Sequence, residues 1–226
     1  MKKKIKEVYS IYLFRHGQTY FNRDGIFSGW KESKLTPLGI EQAQTIASRL
    51  KHKRIDIAFQ TSLSRSKDTL KEVLKYHPEC KRIITDDRII ERDYGDLDGT
   101  THEEFIEEMG EELYKLEVHG DAIFDFNPQL KERIEKILGT QEYKAIHRGY
   151  SIRPPNGESF ADVEKRVKPF IKDLIKMIKK QKVNVAISAH GNSIRLFRKI
   201  MDNTTRERAV KWVIPYDRYF EYQIEI

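Results

Sequence analysis

Two apolar runs of strand length, residues 8–14 and 183–189, constrain the folding of this chain more than any other feature. Neither alternates cleanly between polar and apolar residues, so each predicts a strand buried on both faces, as in a sheet covered by helices. Both end in the same way. The first breaks off into Arg15-His16-Gly17. The second breaks off into His190-Gly191-Asn192, and a helical pattern through Ile194, Leu196, Phe197 and Ile200 follows. In open α/β sheets, ligand sites form beyond the carboxyl ends of the strands. A histidine at two such ends, with an arginine beside one of them, suits binding an anion and attacking it.

The intervening segments supply the remaining layers. Thr36 caps and Pro37 opens a helix, in which Ile40, Ala43, Ile46, Ala47 and Leu50 recur at helical spacing. Residues 55–60 and 82–85 predict further strands. The first of these leads through Thr61-Ser62-Leu63-Ser64-Arg65 into a helix over Leu70, Val73 and Leu74 that His77-Pro78 stops. Arg65 in a first turn opposes the helix dipole, a conflict that an anion bound at that terminus would relieve. Residues 19–30 predict an ordered loop, and 91–99 a second loop rich in glycine and acids.

Helical segments over 103–116 and 128–138 predict a cap inserted at about 100–150. A long amphipathic helix spans 158–180 and is expected to kink or divide at Pro169. Residues 210–214 and 219–226 predict two closing strands near a sheet edge. The fold expected is α/β in three layers: a mostly parallel sheet with helices on both faces and a helical cap insert, in one domain over 1–226.

With 38% hydrophobic residues the chain can bury a core despite 34% charged residues. Its net charge of +7 admits either nucleic acid or small acidic ligands. Lysines such as Lys172, Lys176, Lys179 and Lys180 follow a helix face, and no nucleic-acid-binding signature accompanies them. No apolar run approaches the roughly 20 residues that cross a bilayer. Lys2-Lys3-Lys4 precedes only a short apolar stretch, which predicts no secretory leader. A single cysteine, Cys80, excludes an internal disulfide and predicts a reducing, cytoplasmic setting. Monomer and homodimer both remain open.

A doubly wound sheet brings Arg15, His16, Arg65, Glu91 and His190 to one edge. Arginines offer permanently charged, bidentate donors to phosphoryl oxygens. Their charge disfavours protonation of His16, and a neutral ring nitrogen is a nucleophile toward phosphorus. Glu91, near a leaving oxygen, suits a general acid or base.

These residues, in order, resemble the histidine phosphatase superfamily and, within it, the cofactor-dependent phosphoglycerate mutases. The resemblance rests on Arg15-His16-Gly17-Gln18-Thr19, Asn22, Ser28-Gly29-Trp30, Leu35-Thr36-Pro37-Leu38-Gly39, Thr61-Ser62-Leu63-Ser64-Arg65, Glu91-Arg92-Asp93-Tyr94-Gly95 and Ala189-His190-Gly191-Asn192-Ser193. It implies that His16 is transiently phosphorylated while Arg15, Arg65 and His190 hold the phosphoryl oxygens. It assigns acid–base duty to Glu91 and a place along the substrate site to Thr19, Asn22, Ser28, Gly29, Tyr94, Arg148, Gly191 and Asn192. It implies no metal, and 2,3-bisphosphoglycerate as primer if the chain is a mutase.

Interconversion of 3- and 2-phosphoglycerate is the expected reaction. A phosphatase on small phosphorylated metabolites, working by the same phosphohistidine, is the alternative, and an inactive phosphate-binding module the third. Against a mutase, His102 stands where a lysine is usual and His147 where one of two paired arginines is usual. The interval from Glu91 to Arg148 is also long. A protonated histidine at either place would restore part of the lost charge. The cap is expected to close over substrate and exclude water.

Other residues take plainer readings. His52, His77 and His119 are expected at the surface, and Cys80 as an incidental thiol. Tyr216, Tyr219, Phe220 and Tyr222 are expected to pack the sheet edge, and Glu158 and Ser159 to start the long helix.

Overall fold

The structure, a computed structural model, describes residues 6–117 and 128–226. The N-terminal lysines 2–4 and the middle of the expected cap, His119 included, lie outside the described residues. In chain order the elements are β1 (Val8–Arg15), α1 (Tyr20–Arg23), α2 (Pro37–Leu50), β2 (Ile57–Gln60), α3 (Ser64–Leu74) and β3 (Arg82–Thr85). They continue with α4 (His102–Glu117), α5 (Pro128–Arg148), α6 (Phe160–Gln181), β4 (Val185–Ala189), α7 (Gly191–Met201), α8 (Arg206–Ala209) and β5 (Tyr219–Glu225).

The sheet has five strands in the order β3-β2-β4-β1-β5. β1, β2, β3 and β4 run parallel, and β5 pairs antiparallel to β1 at one edge. Alternate side chains enter opposite layers, as the strand period of two requires. Ile11, Leu13, Ile57, Phe59, Val185 and Ile187 pack with Val167, Phe170 and Leu174 of α6 and Leu196 and Phe197 of α7. Tyr12, Phe14, Ala58 and Ala186 pack on the other face, with Ile46, Ala47 and Leu50 of α2 and Leu70 and Val73 of α3. The expected three layers are present. Among the described residues no helix is long and apolar enough to cross a membrane.

Four local departures from the sequence reading have physical causes. α6 is one continuous helix with Pro169 inside it. Pro169 is exposed, so the carbonyl left without its helical donor faces water. α5 continues ten residues beyond its expected end at 138, because Gly139 does not break it. Gly139 instead lets the α4 backbone approach, so closely that an added Cβ would lie 1.8 Å from the Ile106 carbonyl oxygen. His77 is buried rather than exposed, with Nδ1 3.1 Å from the Glu79 carboxylate that also accepts from the Ile55 amide.

The fourth departure is the tail. No strand forms over 210–214; a single turn of helix, α8, precedes it, and β5 alone pairs with the sheet. The carbonyls of Val210, Trp212 and Ile214 accept instead from Arg148, Arg195 and Arg15. The alternation signalled a strand, but the amides of Val210, Lys211 and Trp212 continue the turn of α8, and the carbonyls meet guanidiniums.

The loop after β1 is placed by glycine. A Cβ on Gly17 would sit 2.1 Å from the Gly39 carbonyl oxygen, and one on Gly39 would sit 2.0 Å from that of Gln18. The first turn of α2 therefore rests directly on the backbone that follows His16. Gly39→Ala should force these backbones apart and cost about 1–3 kcal/mol of unfolding free energy. Urea denaturation monitored by circular dichroism checks this.

Candidate active site

Strand register brings the two histidines together. Arg15 of β1 pairs with Ala189 of β4, and the His16 amide donates to the Ala189 carbonyl at 3.1 Å. The parallel strands thus deliver His16 and His190 side by side, with ring centroids 5.0 Å apart. The next strand, β2, is followed by Thr61, whose hydroxyl lies 2.8 Å from His190 Nε2. Arg65 stands in the first turn of α3, fully buried. Its Nη1 donates to the Lys31 carbonyl at 2.8 Å and its Nη2 to that of Gly29 at 2.7 Å.

Each imidazole is set for one task. His16 Nδ1 donates to the Gly17 carbonyl at 2.7 Å, which places the proton on Nδ1 and leaves Nε2 bare. Burial, and then the Arg65 and Arg15 charges, hold the His16 pKa well below its ordinary value, so the ring is a neutral nucleophile. His190 is lowered by burial first and by Arg65 next. Among the described residues its Nδ1 is a buried atom without a protein partner. Arg15 Nε, Arg65 Nε and Ser28 Oγ are also buried and unpartnered. Buried polar atoms without partners are rare, and these cluster where a tetrahedral anion would accept from them.

Glu91 is the one carboxylate lining a cavity of about 230 Å³ that also exposes Arg15, His16, Arg65 and Arg195. Glu91 Oε1 accepts from the Arg92 amide at 2.8 Å and from the Asn192 amide, in the first turn of α7, at 3.1 Å. Its second oxygen takes no hydrogen bond from the described residues and is left to move a proton. Among the described residues no group of three or more His, Cys, Asp or Glu side chains is arranged to hold a metal.

The opposite wall is aromatic. Phe27, Tyr94, His102 and His147 line it, and His147 stacks on Tyr143 with centroids 5.1 Å apart and ring planes 12° apart. Burial lowers the His102 pKa, and burial followed by the Arg148 charge lowers that of His147 to about 3. Both rings are neutral at physiological pH. The cationic compensation that a protonated histidine would give is therefore missing at both positions.

A family model, the histidine phosphatase superfamily (branch 1), matches residues 11–138 and 125–218. The chain belongs to the histidine phosphatase superfamily. It is 31% identical over 188 residues to a 2,3-bisphosphoglycerate-dependent phosphoglycerate mutase of Pseudoalteromonas atlantica, covering 81% of this chain and 79% of that protein. Among solved structures it resembles an α-ribazole phosphatase of Shigella flexneri, with TM-score 0.68 and 23% identity over 94% of this chain and 89% of that one. It equally resembles a phosphoglycerate mutase of Bacillus anthracis, with TM-score 0.67 and 19% identity over 98% and 92%. The structural likenesses speak for the fold alone.

The remaining sequence-read residues take varied places. Asn22, Ser28, Tyr94, Gly191 and Asn192 line the cavity. Thr19 is buried behind it, where its hydroxyl caps α1 and its amide donates to Asn22 Oδ1. Gly29, outside the lining, supplies a carbonyl to Arg65 and has φ +40°, and a Cβ there would overlap the Asp98 carboxylate. Arg148 also stands outside the lining, with Nη1 on the Val210 carbonyl. The dipole conflict at Arg65 is relieved from within the chain, since the Glu32 carboxylate accepts from the Ser64 amide at 3.1 Å.

Sequence reasoning missed Arg195 and Tyr216. Arg195 faces the cavity and donates to Asn192 Oδ1 at 2.8 Å. Burial pushes its pKa down to about 10, so it stays charged. Its signal was a cation four residues after Gly191, set between Ile194 and Leu196. Tyr216, expected at the sheet edge, instead lines the cavity with its ring 4.0 Å from Arg15 Cζ.

His16, His102, His147 and His190 all have pKa values lowered from 6.5 in the folded chain. As pH falls through about 6.5, the unfolded chain binds protons that the folded chain refuses. Stability is then full above that pH and lost below it, by up to about 1.4 kcal/mol per pH unit for each histidine. Urea unfolding at pH 7.5 and 5.5 should show the loss. His147→Phe should shrink it by one proton's share.

Proposed function

We propose that this chain transfers phosphoryl groups through His16 and acts as a 2,3-bisphosphoglycerate-primed mutase that interconverts 3- and 2-phosphoglycerate. The observation that carries this reading is the charge of the cavity. Arg15, Arg65 and Arg195 face a single carboxylate in about 230 Å³, below the roughly 300–1,000 Å³ of pockets for drug-sized ligands. Such a space suits a three-carbon acid, and the surplus of guanidiniums suits a second anionic group beside the phosphoryl group. The mutase relative that matches most of both chains supports the same reading.

His16 Nε2 attacks phosphorus, an N–P bond forms and the ester P–O bond breaks. Arg15, Arg65 and His190 Nδ1 take up the charge developing on the phosphoryl oxygens. The Glu91 carboxyl gives its proton to the departing alkoxide. When phosphohistidine meets a monophosphoglycerate, the carboxylate takes the proton of its free hydroxyl as that oxygen attacks phosphorus and the N–P bond breaks. The unpartnered donors around His16 fit the phosphoryl end of 2,3-bisphosphoglycerate, and Arg195 is placed for its other end. When bound, that molecule supplies the phosphoryl group that primes His16. Cys80, a free thiol, agrees with a cytoplasmic setting for this chemistry.

A phosphatase acting on small phosphorylated metabolites is the second reading, favoured by one observation. Neutral His102 and His147 leave the distal wall without charge to retain a doubly phosphorylated ligand.

Phosphorus NMR with 3-phosphoglycerate, with and without trace 2,3-bisphosphoglycerate, separates the two. The mutase reading expects a growing 2-phosphoglycerate signal, stimulated by the bisphosphate, with little inorganic phosphate. Inorganic phosphate without isomerisation overturns it in favour of the phosphatase. Under either reading, His16→Ala should lower turnover by roughly four orders of magnitude or more.

A further inference from the structure

The backbone of Glu91 is held in place by residues that do not line the cavity. Foremost is Arg166 on α6, all of whose guanidinium N–H donors are engaged. Nη1 donates to the carbonyls of Arg88 and Ile90, each at 3.0 Å. Nη2 donates to the Glu91 carbonyl at 2.8 Å and to Glu158 Oε2 at 2.8 Å. Nε completes the fork on Glu158 Oε1 at 2.8 Å. Glu158 in turn accepts from the Asp93 amide at 3.1 Å, and its own amide donates to the Asp93 carbonyl at 2.9 Å. One ion pair thereby ties the backbone on both sides of Glu91 to α6. From the opposite side, Trp30 Nε1 donates to the same Glu91 carbonyl at 2.8 Å.

Helix propensity and core packing do not call for this arrangement. α6 begins at Phe160, capped by Ser159, so Glu158 lies outside the helix and is free for another task. A planar fork of five donors can meet three converging carbonyls and a carboxylate at once, whereas an ammonium offers three donors from a point. The segment it grips has little regular structure of its own: one turn of 3-10 helix over Asp87–Ile89 and then irregular chain. A carboxylate carried on such a segment would wander without external ties, and a displacement of about 1 Å can cost on the order of a hundredfold in rate.

We propose that the Arg166–Glu158 pair is a positioning device for proton transfer, fixing the backbone from which the Glu91 carboxyl reaches the leaving oxygen. This rests on the reading of Glu91 as the acid–base group. Neither residue lines the cavity. Arg166 fixes where the Glu91 backbone lies, and the amides of Arg92 and Asn192 fix which way its carboxylate turns.

The test compares two phosphoryl donors in single-turnover formation of phosphohistidine. Departure of the alkoxide of 2,3-bisphosphoglycerate needs a proton, whereas 2,4-dinitrophenyl phosphate expels a phenolate that needs none. Arg166→Lys should slow the first by about 10- to 100-fold, part of the roughly 10²–10⁴-fold worth of general acid catalysis. It should leave the second within about threefold. Glu158→Gln should give the same selective pattern, so the test survives if Arg166→Lys folds poorly.

In a Glu91→Gln background, adding Arg166→Lys should cost less than about twofold more, because the group it positions is already gone. Equal losses with both donors, or additive losses in the double variant, would overturn the inference and leave Arg166 a structural residue. If Glu91→Gln alone leaves the 2,3-bisphosphoglycerate rate unchanged, the acid–base reading of Glu91 fails first, and the positioning role with it.

Discussion

Carbonyl oxygens, rather than carboxylates, hold the guanidiniums in and around this site. Arg65 rests on Lys31 and Gly29, Arg15 on Ile214, Arg148 on Val210, Arg195 on Trp212 and Arg92 on Ile146. The distinction decides what the cavity can do. A carboxylate partner would stabilise a buried guanidinium by cancelling its charge, whereas a carbonyl dipole stabilises it and leaves the charge in place. The positive potential survives for an incoming anion, and it is organised before the anion arrives. Glu91, the one carboxylate lining the cavity, is tied to backbone amides rather than to these arginines.

That demand for carbonyls accounts for much of the irregular chain near the sheet. The loop carrying Gly29 must bring its backbone against Arg65 while Asp98 accepts from the Trp30 amide at 2.9 Å, and only glycine leaves room for that carboxylate. Residues 210–214 have the alternation of a strand, but they leave α8 through a turn and the carbonyls of Val210, Trp212 and Ile214 go to three arginines. Pro215, which has no N–H, ends any chance of a continued ladder. What the sequence lacks in these segments is any local sign that a side chain from a distant element will complete the backbone hydrogen bonding.

The same logic separates what was legible from what was not. Arg15, His16, His190 and Arg65 were legible because an apolar strand that breaks into charged residues and glycine points its end at one edge of a parallel sheet. The two histidine positions that depart from the expected cations were legible too, but their charge state was not. Protonation depends on burial and on the surrounding guanidiniums, and a periodic pattern reports neither. Arg195 escaped because a cation in an amphipathic helix ordinarily marks the solvent face. Here Gly191 and the register of β4 turn that face into the cavity. Tyr216 escaped because its role depends on Arg15 meeting its ring, a contact between residues two hundred positions apart.

A neutral distal wall also changes how the site can discriminate. A lysine or arginine there would bind any second anionic group strongly in ground state and transition state alike, and such uniform binding does not speed the chemical step. His147, stacked on Tyr143, and His102, both packed against Phe27, give up that grip and offer aromatic surfaces instead. Retention of the reacting group then falls to the arginines at the phosphoryl end, which are the groups that meet the charge developing in the transition state. The choice between passing the phosphoryl group to a second hydroxyl and losing it to water follows from the same division. It depends on how long a weakly held acceptor stays beside phosphohistidine, and on whether the free oxygen of Glu91 is already aimed at the acceptor's proton when a water molecule arrives.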